Sequence, residues 1–578
     1  MKKLFYLSIF AAFALASCQK PEYIEPTAER QGITSLMAYF TSESEDFKED
    51  DLFAQLNVED PEADTFVIPV PYYFPEETTN PTTVLMTRVR LRAELAPNCR
   101  IDPPLTIVNL EEENEYTFTN AKGESRKIII TGKRTKSAKC NITKFSLTTP
   151  YKVDGFVNEA TKEIYIFTTD DLVGFSAEAE AAPHATINTD LTVAKNYNNK
   201  QTVTVTAHDG KTTCTYSIVK KYPTKIPQGF RSASVRMLFN IDPFVKLKFP
   251  EKVPLEDPAM PNIYPSLAIV GGYFVVYLAD GSEPMYCDLL TGNEIGKANF
   301  GGLDIAAITS DEDRNMILSS HADPKGTVVL YKTKSVSEAP VQFHSFVNDT
   351  DVPVGYNIKV NGNIDDDAVI ILSHEGIAGV TTTAKYTKIV ITNGEVVSTE
   401  TIDLAGLELG WGAAPTNGAK VVPVSNKPDT GVMLCYYSDN IIHYIDGEGN
   451  KLASRNLADF KVTTNYNTNI MEAKSYNNSP YIIHFTTSHF PMWGIGPQIR
   501  LFDGTAPTAI TKAEPILDAS YDADGYPVID WFKQDFQGCA AGDIVMGPSE
   551  DGFKLYIYYV DYNAGAIGGF VADCIDIK

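Results

Sequence analysis

Apolar side chains fall on every second position over long stretches of this chain. In Arg88-Val89-Arg90-Leu91-Arg92-Ala93-Glu94-Leu95 charges stand between most of them, which predicts a strand with one wet face. Tyr116 and Phe118 alternate in the same way, Lys122-Gly123 makes a turn, and Lys127-Ile128-Ile129-Ile130 resumes the strand, giving a hairpin. Tyr222 to Gly229 carries Pro223, Pro227 and Gly229 and marks a boundary. Beyond it, short apolar strands recur with Asp-Gly or Thr-Gly turns: Tyr273–Tyr277 before Asp280-Gly281, Leu290 before Thr291-Gly292, Ile442–Ile445 before Asp446-Gly447, and Arg500–Phe502 before Asp503-Gly504. Between these lie further apolar runs, among them Val328–Tyr331, Ala368–Leu372, Thr387–Ile391, Val432–Tyr436 and Leu555–Tyr559. Helical periodicity is nearly absent.

The chain therefore reads as all-β. The first part contains a repeat: Ala93–Ile101 matches Ala179–Ile187 at an offset of 86, and Phe118–Gly123 matches Val205–Gly210 at an offset of 87. Each copy opens on Ile-Thr, at Ile33-Thr34 and Ile142-Thr143. The expectation is two tandem β-sandwiches, residues 32–135 and 140–222, joined through the basic segment Lys133 to Lys139. Over residues 229–578, strands at intervals of about 10 to 15 residues need an architecture that hides its edges, and repeated four-stranded blades do this. A β-propeller of six or seven blades is expected there, with a large multi-sheet sandwich as the competing architecture.

At the start, Lys2 and Lys3 precede the apolar run Leu4–Phe13 and the small residues Leu15-Ala16-Ser17 before Cys18. A charged start, a short apolar run and small residues form an export signal over residues 1–17, too short to span a bilayer. With cysteine directly after, the stretch resembles the lipobox of bacterial lipoproteins. That resemblance implies a cut leaving Cys18 as the lipid-carrying N-terminus, with residues 18–31 as a polar tether. Together with the Pro…Ile strand entry and the hairpin followed by an aromatic strand, residues 1 to about 225 resemble Bacteroidetes surface lipoproteins that carry tandem N-terminal immunoglobulin-like repeats of unassigned function, often encoded beside glycan-uptake genes. The resemblance implies immunoglobulin-like sandwiches, a place on the bacterial outer membrane facing outward, and a neighbouring glycan transporter as partner.

Charge narrows the ligands. Forty-nine basic against 74 acidic residues give a net charge of −25, which repels polyanions, so nucleic acid is not an expected partner. Sulfated or uronate-rich glycans are disfavoured on the same grounds unless a local basic pocket overrides the net charge. The eight cysteines are widely and irregularly spaced with no C-x-x-C, which predicts neither a disulfide framework nor a zinc or iron–sulfur site, and at least one buried thiol.

Candidate chemistry is sparse. His484 and His489 are the closest pair of the eight histidines, at a spacing that suits neither a strand face nor helical metal ligation. Nucleophile-elbow and phosphate-loop motifs are absent, and no cofactor is expected. Asp365-Asp366-Asp367 and Asp311-Glu312-Asp313 read as solvated turns. The most pointed feature is tryptophan: Trp411 between glycines, Trp493 before Gly494 and Trp531 before Phe532 all fall in loop-like stretches. A tryptophan face in a loop can stack on the apolar face of a sugar ring, so Trp411, Trp493 and Trp531 are the candidate carbohydrate-binding residues, set against plugging gaps between blades. Tyr72-Tyr73-Phe74 is a lesser candidate. The expected function is capture of a neutral polysaccharide at the cell surface without bond cleavage. A propeller-type hydrolase or lyase, and a structural or adhesive protein, are the alternatives.

Overall fold

The structure, a computed structural model, describes residues 32–251, 263–377, 380–411, 419–437, 439–460, 462, 467–488, 496–522, 524–533 and 541–577. The export signal, Cys18 with its tether, Trp493, His489 and Cys539 lie outside them. The fold is all-β: the one α-helix among the described residues is the four-residue turn Pro243–Lys246. The chain forms two compact units, one running to Ile166 and resuming over Asp171–Lys221, the other comprising Phe167–Asp170 and Tyr222 onward.

The first unit opens with strands β1 (Ile33–Phe40), β2 (Leu52–Asn57), β3 (Thr65–Pro71), β4 (Val89–Leu95), β5 (Arg100–Asp102), β6 (Ile107–Val108), β7 (Asn114–Thr119) and β8 (Ser125–Thr135). They make two four-stranded sheets, ordered β2-β1-β4-β6 and β3-β8-β7-β5, with β3 and β8 parallel. The alternation read from the sequence supplies one apolar face per sheet. Leu36 and Ala38 of β1, Ile68 and Val70 of β3, and Ile128 and Ile130 of β8 meet in one core.

The second half of this unit has β9 (Ile142–Leu147), β10 (Val153–Asn158), β11 (Glu163–Phe167), β12 (Ala177–Ala181), β13 (Thr186–Ile187), β14 (Gln201–Thr206) and β15 (Thr213–Lys221). They join as one seven-stranded sheet, ordered β12-β9-β10-β11-β15-β14-β13, folded around a single core. The fold-over passes through β10. Val153–Gly155 pair with β9 and Phe156–Asn158 with β11, and a Cβ on Gly155 would sit 2.9 Å from both Phe145 and Ile164.

The internal repeat is visible strand by strand. The β1–β4 pairing recurs as β9–β12, and β5–β7–β8 recurs as β13–β14–β15. Thr34 Oγ1 donates to Glu94 O at 3.0 Å, and Thr143 Oγ1 to Glu180 O at 3.1 Å. Asn98 and His184, 86 residues apart, both hold a left-handed backbone, with φ of 65° and 61°. A bond joins Cys140 to Cys214, ahead of β9 and within β15. Irregular cysteine spacing gave no sign of it, because the partners become neighbours only once those strands pair. Cys287, Cys435 and Cys574 are buried free thiols, as a small apolar residue would be.

Among the described residues the second unit is a propeller of six four-stranded blades, at the lower of the two expected counts. Its inner strands, Ser266–Val270, Ala307–Ser310, Val354–Gly362, Ala419–Pro423, Asn467–Tyr476 and Gly542–Pro548, neighbour one another in a closed ring around an axial channel. The sixth blade is completed by an early strand, Arg236–Ile241, which pairs antiparallel with Ala566–Asp573 and so closes the ring. Six apolar clusters fill the six gaps between blades. A strand buried on both faces must be apolar on both, which explains the continuous run Ala368–Leu372. Ile370 and Leu372 pack into the gap with blade 2, Val369 and Ile371 into that with blade 4.

Candidate functional site

The channel axis is occupied by charge. Lys359 on the third inner strand is buried and reaches across to blades 5 and 6. Its Nζ lies 2.8 Å from Glu472 Oε2, 2.9 Å from Asp543 Oδ1 and 2.7 Å from the carbonyl of Ile544. Lys474 closes the far side, 3.0 Å from Glu472 Oε1 and donating to the carbonyls of Ser310 and Met546. Asp543 spends its second oxygen on the N–H of Leu267 at 2.9 Å. Burial works against the Lys359 ammonium, but Asp543 and Glu472 together outweigh it and hold its proton more tightly than usual. This ion cluster ties blades 1, 2, 3, 5 and 6 together.

Above the plug, Tyr356, Asn357, Lys359, Lys420 and Asp543 line a cavity of about 10 Å3. Because all six inner strands run in the same sense, residues at their starts gather at one mouth. Tyr264 from blade 1 and Tyr356 from blade 3 meet there with rings 4.1 Å apart and 24° from parallel. Tyr356 also packs at 4.8 Å against His321 of blade 2, whose Nε2 lies 3.1 Å from Glu375 Oε1. The hydrogen bond to Glu375 raises the His321 pKa against the opposing effect of burial. On the opposite side Lys420 of blade 4 donates to Asn357 Oδ1. Burial pushes the Lys420 ammonium down to about 8, with Lys359 adding to the effect and Asp543 opposing it. Tyr264, Tyr356, His321, Glu375, Asn357 and Lys420 are all half-buried, so each presents part of its surface to the mouth. Burial, followed by Glu375, Asp304 and Asp323, raises the Tyr356 hydroxyl, which therefore stays a neutral donor.

The sequence-based candidates fare differently. Trp411 is a correction. It is 0% exposed, it lies in the apolar cluster between blades 3 and 4, and its Nε1 donates to the carbonyl of His374 at 3.1 Å. Backbone at Gly376 lies so close that a Cβ there would fall 2.5 Å from the indole, so neither face is open to a sugar. Trp531 is half-buried, and a Cβ on Gly496 would lie 2.2 Å from its ring, so one face is covered. Glycines distant in sequence, Gly376 and Gly496, let backbone press against these rings. Asp311 is a second correction. It is buried, not solvated, and its carboxylate takes the N–H groups of Asn315 and Ile364 and the Asn315 amide at 2.8, 3.0 and 2.7 Å. Asp365 does lie on an exposed turn, paired with Lys332 and Lys334. His484 is fully buried beside Asn469. The mouth residues escaped the sequence reading because they come from separate blades. What signal there was lay in the short segments Ile263-Tyr264-Pro265 and Gly355-Tyr356-Asn357, each leading a buried strand.

Three family models match the sequence, each a domain of unknown function: DUF5018 over residues 13–132, DUF8499 over 142–220 and DUF8500 over 254–573. The last spans more than half of the chain. The chain belongs to the DUF8500 family. In this DUF8500 member the matched region takes in all six inner strands, and the family descriptions carry no function. A search of curated proteins finds no match. Solved structures similar to the chain include a catalytically inactive virginiamycin B lyase from Staphylococcus aureus with quinupristin (9% identity, 59% of this chain and 99% of that one, TM-score 0.28). Others are an α-L-arabinofuranosidase from Fusarium graminearum with an iminosugar inhibitor (10%, 54% and 92%, 0.33) and a Bacteroides fragilis protein named only for its export (8%, 60% and 97%, 0.27). At these identities and scores the likenesses carry no argument about what the DUF8500 member does.

Proposed function

We propose that this protein captures a neutral polysaccharide at the bacterial surface without cleaving it, and that the channel mouth is the carbohydrate site. The observation that carries this reading is the paired Tyr264 and Tyr356 rings with donors and acceptors interleaved around them. Asn357, Lys420, the Tyr356 hydroxyl and Glu375 match a ligand rich in hydroxyls, and the rings match its apolar C–H face. Burial of one ring face contributes about 1 to 2 kcal/mol, so affinity is modest per site and gains from multivalent polymer.

Non-catalytic action is favoured because the carboxylates with raised pKa among the described residues, Asp311 and Glu312, belong to a blade 2 turn and are held by backbone N–H groups. A glycosidase needs a pair of carboxyl groups about 5 to 10 Å apart at the substrate. The single observation favouring a hydrolase or lyase is the His321–Glu375 pair beside Tyr356. Placement at the surface rests on the lipobox-like start with Cys18 and is supported by the Cys140–Cys214 bond, which belongs to an oxidising compartment. The two related sandwiches are read as immunoglobulin-like spacers, and a neighbouring glycan transporter as the recipient.

The test is affinity electrophoresis of the full chain through gels containing starch, β-glucan, xylan or galactomannan, with a reducing-end assay on the same mixtures. Retardation by at least one polymer without release of reducing ends is expected, weakened ~5- to 10-fold in Tyr356→Ala. Release of reducing ends would replace capture with catalysis. Retardation unchanged in Tyr356→Ala would remove the mouth as the site.

A further inference from the structure

The first unit contains a cleft of its own. We propose that it binds a sugar acid, a saccharide ring bearing a carboxylate, at a site separate from the channel mouth. The cleft holds about 400 Å3, within the range of small-ligand sites, and lies where the first sandwich meets the second. Its walls are Tyr72, Tyr73 and Glu76, which follow β3; Lys136, which follows β8; and His184 and His208 from the turns of the second sandwich.

The aromatic groups form a continuous surface. Tyr73 stacks on His208 at 5.5 Å and 8°, and packs on His184 at 4.6 Å, while His184 and His208 are 4.9 Å apart. Tyr72 stands edge-on to Tyr73 at 5.0 Å. His184 Nε2 lies 2.9 Å and 2.8 Å from the carbonyls of Glu76 and Thr78, so it carries the proton and donates, which leaves Nδ1 as an acceptor. All four side chains are half-buried, and the hydroxyls of Tyr72 and Tyr73 have no hydrogen-bond partner among the described residues. Ring faces beside unspent hydroxyl and imidazole groups suit a saccharide better than a purely apolar ligand.

The charge in the cleft is positive although the chain as a whole is strongly acidic. Glu76 is answered by Lys139 at 2.6 Å. Arg134 lies 3.9 Å over the Tyr72 ring, fixed by the Tyr72 carbonyl at 2.7 Å and Thr83 Oγ1 at 3.0 Å. Lys136 stands 5.4 Å from the same ring and has no carboxylate partner among the described residues. Burial first, then Lys136 and His184, depress the His208 pKa, while Asp209 and Glu76 act the other way. A carboxylate placed beside Lys136 supplies the missing counter-charge, and the sugar ring that carries it lies on Tyr73 and His208. The local basic pocket that could override the repulsion of acidic glycans by the net charge is therefore present in the sandwiches.

Calorimetric titration of the full chain with D-glucuronate, D-glucose and acetate tests this. Saturable binding of glucuronate at millimolar concentrations is expected, with glucose and acetate each at least ~10-fold weaker, since each lacks one of the two recognised parts. Lys136→Gln, a change at an exposed side chain that leaves the fold untouched, is expected to weaken glucuronate ~10-fold, and Tyr73→Ala to do the same. Tyr356→Ala at the channel mouth is expected to change nothing, which separates this site from the proposed neutral-glycan site. Absence of glucuronate binding, glucose or acetate binding as tightly, or indifference to Lys136→Gln would each overturn the proposal.

Discussion

Lys359 is the side chain on which the propeller axis depends. It is 4% exposed, and its partners Glu472 and Asp543 are 0% and 3% exposed. Removing one member of a buried ion group strands the others in a medium that cannot solvate them, at a cost of about 3 to 5 kcal/mol. Lys359→Met is therefore expected to shift the urea midpoint of the propeller transition sharply down, and Lys359→Met with Asp543→Asn to recover part of the loss. A midpoint unchanged in the single variant would mean the plug is incidental. His374 sets the acid limit in a different way. Burial, reinforced by Lys385 and opposed by Asp349 and Asp351, pushes its imidazole down to about 4, while an unfolded histidine titrates near 6.5. Its stabilising contribution is thus complete above about pH 6.5 and is lost as the pH falls toward 4, because the unfolded chain takes a proton that the folded one refuses. The loss is about 3 kcal/mol across that window. In His374→Gln, thermal midpoints recorded from pH 4 to 7 are expected to fall less steeply than in the parent. At this scale the sequence was least legible: composition drew attention to three tryptophans, yet burial of an indole depends on what backbone lies above it, and Gly376 over Trp411 is a contact between distant positions.

At the scale of elements the sequence was far more legible, because strand periodicity is local. The hairpin around Gly123 and its counterpart around Gly210 stand where the repeat placed them, and both glycines hold positive φ, 83° and 70°. The continuous apolar runs became strands buried on both faces, and the alternating ones became sandwich strands. What periodicity could not supply was pairing between distant strands: the parallel β3–β8 edge, the fold-over at Gly155, and the Cys140–Cys214 bond. That bond closes a loop across 74 residues, for which loss of chain entropy in the unfolded state predicts about 4 kcal/mol. Cys214→Ser is expected to lower the first of two thermal transitions, that of the sandwich unit, and leave the propeller transition in place. A uniform fall of both would show that the two units unfold together.

For the molecule as a whole, the even apolar strands and short turns indicated a propeller, and ring closure by Arg236–Ile241 fixes it at six blades. The channel mouth was illegible in the sequence because Tyr264, His321, Tyr356, Glu375 and Lys420 span more than 150 residues and converge only when the ring closes. The same closure also gathers these side chains, while the ion plug fills the axis beneath them. The proposal of capture without cleavage rests on that division between an ion-filled axis and a half-buried rim. The most direct measurement is calorimetric titration of the full chain with oligosaccharides cut from whichever neutral polysaccharide retards it. The account predicts saturable binding with a negative heat-capacity change, no new reducing ends, and ~5- to 10-fold weaker binding in Tyr356→Ala. Heat from bond cleavage, or binding indifferent to Tyr356, would contradict it.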